Sequence, residues 1–150
     1  MSVVAVIFDF DDTLLPDSTS ALLREHGVDP DEFWSNRVKK LVENGYDPPL
    51  AYLNLLLQLV GKGMPLGELT NRKLSEFGAM LDNTWFSGLP QLFDDLRSIV
   101  GGPQFRDISI EFYIISGGLQ AVIEGSQHVA KYFRGVYGCQ LGEDAGIGLV

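Results

Sequence analysis

An almost unbroken apolar run near the start of the chain ends in a cluster of acidic residues. Residues 3–10 read VVAVIFDF, and Asp9, Asp11 and Asp12 lie at the end of this run. An apolar run rich in β-branched residues predicts a strand that is buried on both faces of a parallel sheet. Ligands of open α/β sheets bind beyond the carboxyl ends of the strands, so the acidic cluster marks a candidate site.

A second strand is predicted only much later in the chain. Residues 108–115 read ISIEFYII and lead into Ser116, Gly117 and Gly118, and a short third strand is predicted at 136–139. Helical spacing of apolar residues fills the stretch between the first two strands, which is far longer than the dozen or so residues that a parallel crossover needs. We therefore predict an α/β core of residues 1–16 and 84–150 that carries a helical insertion at 17–83.

The charge balance excludes several classes of partner. The formal net charge is -9, with 20 acidic and 11 basic residues. Such a surface repels nucleic-acid phosphates and anionic membranes, so we expect neither nucleic acid nor membrane as a partner. A small phosphorylated substrate stays possible, because one metal ion can reverse the potential locally.

The single cysteine and the lengths of the apolar segments indicate in which cellular compartment the protein is expected. Cys139 has no partner for an internal disulfide, which fits a reducing compartment, and we expect it to be a buried, inert thiol. The longest apolar stretch, residues 50–60, is well short of the roughly 20 residues of a membrane span. No positively charged segment precedes the apolar start of the chain, so no signal peptide is apparent. We expect a cytoplasmic protein.

Two of the acidic residues are spaced to act together. Asp9 and Asp11 are two positions apart, so in an extended chain both side chains point to one side while Phe10 points to the other. Like charges that close raise each other's pKa unless a cation lies between them, and Mg²⁺ would suit these oxygen ligands. One carboxylate could then attack phosphorus while the other transfers a proton. The alternative, that the cluster only caps a helix, does not account for Asp9.

Residues 8–14 (FDFDDTL) resemble the first motif of the haloacid dehalogenase-like (HAD) superfamily, a hydrophobic strand followed by Asp-x-Asp-x-Thr. The resemblance implies that Asp9 is the nucleophile, which becomes a transient aspartyl phosphate, and that Asp11 is the general acid and base. It implies that Asp9 and Asp11 bind Mg²⁺, Asp11 through its backbone carbonyl, and that Thr13 braces the loop. Family members that cleave carbon–halogen bonds lack the second aspartate, so Asp11 favours phosphoryl transfer.

Residues 113–118 (YIISGG) are similar to the second motif of the family, a hydrophobic strand that ends in Ser or Thr. The resemblance implies that the Ser116 hydroxyl and the Gly117 amide hydrogen-bond a phosphoryl oxygen, and that the following helix presents its positive end. Thr13, Ser116 and Gly117 thus form the predicted substrate-binding set. A serine before a helix can also be only an N-cap, and that alternative stays open.

Two further parts of the family's site are not apparent: a Lys or Arg that holds the phosphate, and a later acidic motif that completes the metal site. Lys131 is expected on a solvated face, and Glu143 and Asp144 in a loop or hairpin tip at 142–148. The family's sheet also places a later strand beside the first one. We therefore expect a shortened chain whose open edge at 3–10 is covered by self-association or by rearranged local structure.

The resemblance implies a Rossmann-like three-layer core with an incomplete parallel sheet and an inserted α-helical cap, as in the phosphoserine phosphatase-like branch. The implied function is a magnesium-dependent phosphatase for a small phosphomonoester, with the activity of this 150-residue form left open. Two alternatives remain: a non-catalytic phosphate- or metal-binding domain, and a phosphotransferase. His26 and His128 have no partners at a metal-binding spacing, and no site is assigned to the insertion.

Overall fold

The computed structural model describes residues 2–146 and 148–150. The chain divides into two compact units, one of Met1–Ser18 with Ser75–Gln140 and the other of Thr19–Leu74 with Leu141–Val150. The division predicted from the sequence assigned residues 84–150 to the core and 17–83 to the insertion. It stays a prediction about domains, because compact packing does not show which segments fold independently.

The first unit contains a parallel sheet of three strands. Strands β1 (Ser2–Phe8), β2 (Ile108–Leu119) and β3 (Phe133–Cys139) lie in the order β1-β2-β3, and both pairs are parallel. Helices flank this sheet along the chain: α5 (Gln91–Val100), α6 (Gln120–Gly125) and α7 (Gln127–Tyr132), with 3₁₀ turns at Leu81–Thr84 and Pro103–Phe105. The predicted α/β class with an incomplete parallel sheet is confirmed.

Strand β1 is an edge strand, and the prediction that it is buried on both faces is wrong. Val3, Val4 and Ile7 are 54%, 46% and 58% exposed, because β1 pairs only with β2 within residues 2–146 and 148–150. No rearranged segment of the described chain pairs with the open side. Val6 and Phe8 are half-buried, and the Phe8 ring lies 5.6 Å from that of Phe93.

The core of this unit forms around the central strand. Phe112 and Ile114 on β2 are fully buried, and so is Phe93 on α5. The Phe93 ring contacts an aromatic cluster at centroid distances of 5.0 to 6.3 Å, made of Phe8, Trp85, Phe112, Tyr132 and Phe133. These aromatic residues therefore serve packing, and the cluster fixes α5 against the sheet.

The segment after β2 differs from the prediction in two ways. The strand does not end at Ile115 but continues through Ser116–Gly118 to Leu119. The single helix predicted after it is two short helices separated at Ser126, whose side chain accepts a hydrogen bond from the Val129 N–H at 3.2 Å. An N-cap serine starts a new helix at this point, which the apolar periodicity alone did not reveal.

The second unit is mostly helical, as the sequence predicts. It contains α1 (Ser18–Glu25), whose first residue lies in the first unit, a π-helical turn (Glu32–Val38) that continues as α2 (Lys39–Glu43), and α3 (Pro48–Leu57). Helix α4 (Asn71–Met80) begins here and ends in the first unit. Gly27 and Gly45 follow their helices with φ of 71° and 95°, as C-terminal glycines do.

The end of the chain forms a small hairpin in the second unit. Strand β4 (Glu143–Asp144) pairs antiparallel with β5 (Gly148–Leu149), which agrees with the hairpin tip predicted at 142–148, although Ile147 lies outside the described residues. The Leu149 N–H donates to the Leu69 carbonyl at 2.9 Å, which attaches the hairpin to the helical unit. Among the helices of the described residues, none is both long enough and apolar enough to cross a membrane.

Candidate active site

The acidic loop begins directly after β1 and is anchored by Phe10. The Phe10 side chain is 1% exposed and contacts the Trp85 ring at 6.3 Å. The Phe10 carbonyl accepts hydrogen bonds from the Thr13 and Leu14 N–H groups at 3.3 and 2.9 Å, and Asp12 adopts a left-handed φ of 57°. Aspartate tolerates this conformation better than most residues do, so the sequence suits the tight turn.

Asp11 is partly withdrawn from solvent in this loop. Its Oδ1 accepts a hydrogen bond from the Ser18 N–H at 2.7 Å. Burial raises the pKa of Asp11 above its ordinary value, hydrogen bonds from Ser18 lower it, and the negative charges of Asp17 and Asp9 raise it further. The net increase means that the Asp11 carboxyl holds a proton more readily than an exposed aspartate does.

Asp9 differs from Asp11 in its surroundings. It is exposed, and its Oδ1 accepts a hydrogen bond from the N–H of Phe10 at 2.7 Å. The charge of Asp9 is one of the causes of the raised pKa of Asp11, so the two groups are close enough to interact. The loop after β1 therefore carries one exposed carboxyl group and one partly buried carboxyl group two positions apart in the sequence.

Strand β2 places Ser116 and Gly118 next to the Asp11 side chain. The Gly118 N–H donates to Ser116 Oγ at 3.0 Å. A Cβ atom on Gly118 would overlap Oδ2 of Asp11 and lie 3.3 Å from Ser116 Oγ. Because both side chains meet at the position where Gly118 has none, Asp11 and Ser116 converge at the carboxyl ends of the two neighbouring strands.

The geometry after Ser116 differs from the prediction. Helix α6 begins at Gln120 after Leu119, so Ser116 is not an N-cap, and the alternative role considered for it does not apply. The expected helix with its positive end directly behind Ser116 is also absent here, since the backbone stays extended to Leu119 and α6 spans only Gln120–Gly125. Phosphate binding at this point would therefore depend on the hydroxyl and on extended-strand amides.

Gly117 is exposed, and its carbonyl oxygen accepts a hydrogen bond from Cys139 Sγ at 3.3 Å. Cys139 is only partly buried, so the expectation of a buried thiol is wrong. It lies near the end of β3, where the register between β2 and β3 shifts, and that irregularity leaves the thiol partly open.

Thr13 borders an apolar groove beside the loop. The groove has a volume of about 380 Å³ and is lined by Thr13 with Phe8, Leu14, Phe86, Ser87, Gly88, Leu89 and Leu92. The Thr13 N–H helps to close the turn at Phe10, as noted above. Thr13 thus belongs to the same loop as Asp9 and Asp11, and its surroundings are largely apolar.

The residues considered for the phosphate-holding cation and the later acidic motif have other partners. Lys131 is exposed, and its Nζ donates to the Tyr132 hydroxyl at 2.7 Å, a contact that raises the pKa of Lys131. Glu143 accepts a hydrogen bond from the Asn71 N–H and belongs with Asp144 to the second unit. Lys131 lies on a solvated face, as the sequence predicted.

Ser18 is a residue whose contact with the site the sequence reasoning missed. The sequence analysis assigns it no role in the site, yet Ser18 is 2% exposed and its N–H donates to Oδ1 of Asp11. The available signal was its position, a small polar residue at the start of the first helix after the acidic loop. In an α/β fold, the start of the helix that follows a strand lies near the carboxyl end of that strand.

The carboxylates present suit a magnesium ion that also contacts substrate. Within residues 2–146 and 148–150, no group of three or more His, Cys, Asp or Glu side chains is arranged to hold a metal ion. Asp9 and Asp11 supply two carboxylates, and Mg²⁺ is commonly held by one or two carboxylates with waters and substrate phosphates. The donor set therefore fits Mg²⁺ better than a metal that needs a full protein cage.

Comparison with known proteins identifies the fold. No family model matches the sequence. The crystal structure of a HAD family hydrolase from Salmonella enterica serovar Typhi superposes with a TM-score of 0.64 at 17% identity, over 97% of this chain and 43% of that one. The chain has the HAD fold. At this identity the similarity shows the architecture, and the chain spans less than half of the solved protein.

A sequence relative has been found in a different bacterium. An uncharacterized protein of Borreliella burgdorferi is 33% identical over 147 residues, and the match covers 93% of this chain and 50% of that protein. The chain therefore spans about half the length of this relative. The two matches cover 93% and 97% of this chain.

Proposed function

We propose that the protein is a magnesium-dependent phosphatase that hydrolyses small phosphomonoesters through an aspartyl phosphate on Asp9. The observation that carries the proposal is the convergence of Asp11, which follows β1, with Ser116 at Gly118, near the carboxyl end of the neighbouring parallel strand β2 in a HAD fold. Capping alone would not bring an enclosed carboxyl group to a strand-end hydroxyl. The phosphoserine phosphatase-like branch and a cytoplasmic location are parts of the same proposal.

The two carboxyl groups suit the two halves of such a reaction. In the first half, an Asp9 oxygen attacks phosphorus, the bond from phosphorus to the ester oxygen breaks, and Asp11 gives its proton to the departing alcohol. In the second half, Asp11 accepts a proton from water, the water oxygen attacks phosphorus, and Asp9 leaves as a carboxylate with release of inorganic phosphate. The raised pKa of Asp11 supports its role as the initial proton donor.

The remaining residues bind and orient the phosphoryl group. The Ser116 hydroxyl and the Gly117 amide donate hydrogen bonds to its oxygens, and Thr13 helps to keep the acidic loop closed. Asp9 through its carboxylate and Asp11 through its backbone carbonyl would hold Mg²⁺, which when bound would neutralise the charge that the phosphoryl oxygens carry. The helical segment suits a cap that selects the substrate.

Hydrolysis of p-nitrophenyl phosphate by the 150-residue chain, with and without Mg²⁺, tests the proposal. We expect slow, magnesium-dependent release of nitrophenol, slow because no group of three or more His, Cys, Asp or Glu side chains within residues 2–146 and 148–150 is arranged to hold the metal. The Asp9→Asn variant should lose this release, and the Asp12→Asn variant should keep it. Asp12 is a matched control, because it lies in the same loop and its Oδ1 accepts the Asp17 N–H at 3.2 Å. Equal activity of wild type and Asp9→Asn would reject the proposal.

The donor set also favours a second candidate, a domain that binds phosphate and Mg²⁺ without catalysis. Two carboxylates are enough to bind Mg²⁺ together with a phosphate but are few for rapid turnover. Calorimetric titration with inorganic phosphate in the presence of Mg²⁺ distinguishes the two candidates. Binding that depends on Asp9 and Ser116 without hydrolysis of any phosphomonoester would favour the binding domain.

A further inference from the structure

We infer that a cavity in the first unit, at the end of the sheet opposite the acidic loop, binds the phosphate group of a small molecule. The cavity has a volume of about 320 Å³ and lies beside the first residues of β2 and β3. Its charged lining residues are Arg97, Glu111, Lys131 and Arg134. The proposed phosphatase reaction uses none of them, so the inference goes beyond that function.

The position of the cavity separates it from the candidate active site. Ile110 on β2 lines the cavity, and Ser116 lies six residues further along the same strand. Since a strand rises roughly 3.3 Å per residue, the two residues are about 20 Å apart. A small ligand in the cavity therefore does not reach Ser116 or the acidic loop.

Arg97 supplies a positive charge that is already held in place. Its Nη2–H donates to the Tyr132 carbonyl at 2.9 Å, and its Cζ lies 5.5 and 5.4 Å from the ring centroids of Phe112 and Tyr132. Within residues 2–146 and 148–150, Arg97 forms no ion pair with a carboxylate. A guanidinium has five N–H donors, so most of them are left for a ligand.

Lys131 brings a second positive charge to the same cavity. Its Nζ donates to the Tyr132 hydroxyl at 2.7 Å and lies 4.5 Å from the ring centroid of Tyr132. This hydrogen bond raises the pKa of Lys131, and the charge of Arg97 is among the causes that lower it, so the two cations are close enough to repel each other. Tyr132, which is buried, thus holds two like charges together. An anion between them would relieve the repulsion.

The carboxylates around the cavity already have partners. Glu111 accepts a hydrogen bond from the Tyr113 hydroxyl at 2.6 Å and forms an ion pair with Arg134 at 3.2 Å. Asp94 accepts the Tyr132 hydroxyl at 2.7 Å. Three cations and two carboxylates therefore surround the cavity, a local excess of positive charge in a chain whose formal net charge is -9. Such an excess attracts anions.

The donors suit a phosphate group better than a carboxylate. Arg97, Lys131 and Ser109 line the cavity from three different elements, α5, α7 and β2. A phosphate group carries three strong acceptor oxygens, so it can accept hydrogen bonds from several sides at once. The two oxygens of a carboxylate would be satisfied by the guanidinium alone. Arg97 and Lys131 are both exposed, so a dissolved anion can reach them.

The test is an NMR titration of the ¹⁵N-labelled 150-residue chain with inorganic phosphate in EDTA at constant ionic strength. EDTA removes divalent metal, so the magnesium-dependent site of the proposed function does not contribute. We expect saturable chemical-shift changes of the Arg97 Nε–H and of the backbone amides of residues 109–112 and 131–134. Changes confined to residues 9–13 and 116–118, or no saturable change at the cavity, would overturn the inference.

Matched variants separate a built site from general attraction of anions. Arg97→Gln should weaken phosphate binding at least about tenfold, the loss expected for one hydrogen bond to a charged group. Lys131→Gln should weaken it several-fold, and this exposed position keeps the test decisive if Arg97→Gln does not fold. Arg106→Gln is the control, because Arg106 is an exposed cation that does not line the cavity. An equal loss of affinity in Arg106→Gln would overturn the inference.

Two further anions identify the source of the phosphate group. Tighter binding of phenyl phosphate than of inorganic phosphate in EDTA would identify a phosphomonoester, and the reverse order would identify free phosphate. Acetate that binds as tightly as phosphate would overturn the assignment to phosphate. The proposed function is judged separately: hydrolysis of p-nitrophenyl phosphate without shifts at the cavity rejects only this inference, and shifts at the cavity without hydrolysis support it while the proposed function fails.

Discussion

Strands β1 and β2 are neighbours that are both rich in apolar residues but differ in their surroundings. They pair in parallel from Ser2 with Ile108 to Phe8 with Ile114. Ile114 on β2 is fully buried, whereas Ile7 on β1 is 58% exposed. Ile7 pairs with Tyr113, so its side chain points to the opposite face of the sheet from Ile114, and the face on which a side chain lies affects its burial as much as the strand that carries it.

The ends of the two strands differ in chemistry as well. The end of β1 carries two carboxyl groups, one exposed and one enclosed, and the end of β2 carries a hydroxyl group and glycines. In the proposed function, β1 supplies the groups that make and break bonds, and β2 supplies the groups that hold the phosphate. The strand that contributes most to stability is thus not the strand that contributes most to the reaction.

The largest expected effect is the difference in lost activity between a substitution after β1 and a substitution in β2. Asp9→Asn should reduce kcat/KM for p-nitrophenyl phosphate by about 10⁴-fold or more, because no covalent intermediate forms. Ser116→Ala should reduce it only about 10²-fold, because it removes one hydrogen-bond donor from the phosphoryl group. Steady-state kinetics of both variants measure this difference. Losses of similar size would mean that the two ends do not divide the chemistry in this way.

The second prediction compares the stability of two variants, in each of which one isoleucine is replaced by alanine. Ile114→Ala should lower the free energy of unfolding by about 2–5 kcal/mol, since it leaves a cavity in the core. Ile7→Ala should lower it by less than about 1 kcal/mol, since more than half of the side chain is exposed. Urea denaturation followed by circular dichroism gives both values. An equally large loss for Ile7→Ala would indicate that β1 is covered by another molecule in solution.

The sequence located the acidic loop after β1 but not the end of β2 or the exposure of β1. The acidic loop could be located from local patterns, because turn and strand signals are local. The burial of β1 could not, because it depends on whether another strand lies beside it. The extension of β2 through Ser116–Gly118 and the contact of Ser18 with Asp11 also depend on register and chain return, which distant residues determine.

A third prediction asks whether the open edge of β1 promotes self-association. Ile7→Lys should weaken association of the protein about tenfold, because a charge on an edge strand opposes pairing with another strand. Ile115→Lys is the matched control: Ile115 is 54% exposed but lies on the central strand β2, where no backbone edge is open. Sedimentation velocity over a range of protein concentrations measures both. An equal effect of the two substitutions would point to association through the face of the sheet.

The smallest expected effect concerns the stability cost of enclosing Asp11. Burial raises its folded-state pKa above the ordinary 3.8, so the folded state binds the proton more tightly than the unfolded chain does. The contribution of Asp11 to stability should therefore fall as the pH rises from below 3.8 through the raised pKa. Asp11→Asn keeps an acceptor for the Ser18 N–H without the charge, so without divalent metal it should be the more stable protein at neutral pH. Its advantage should vanish in acid. Thermal unfolding at several pH values measures how the stability of wild type and of Asp11→Asn depends on pH. If the two stability curves are parallel, burial of the charged Asp11 carboxylate does not destabilise the folded protein.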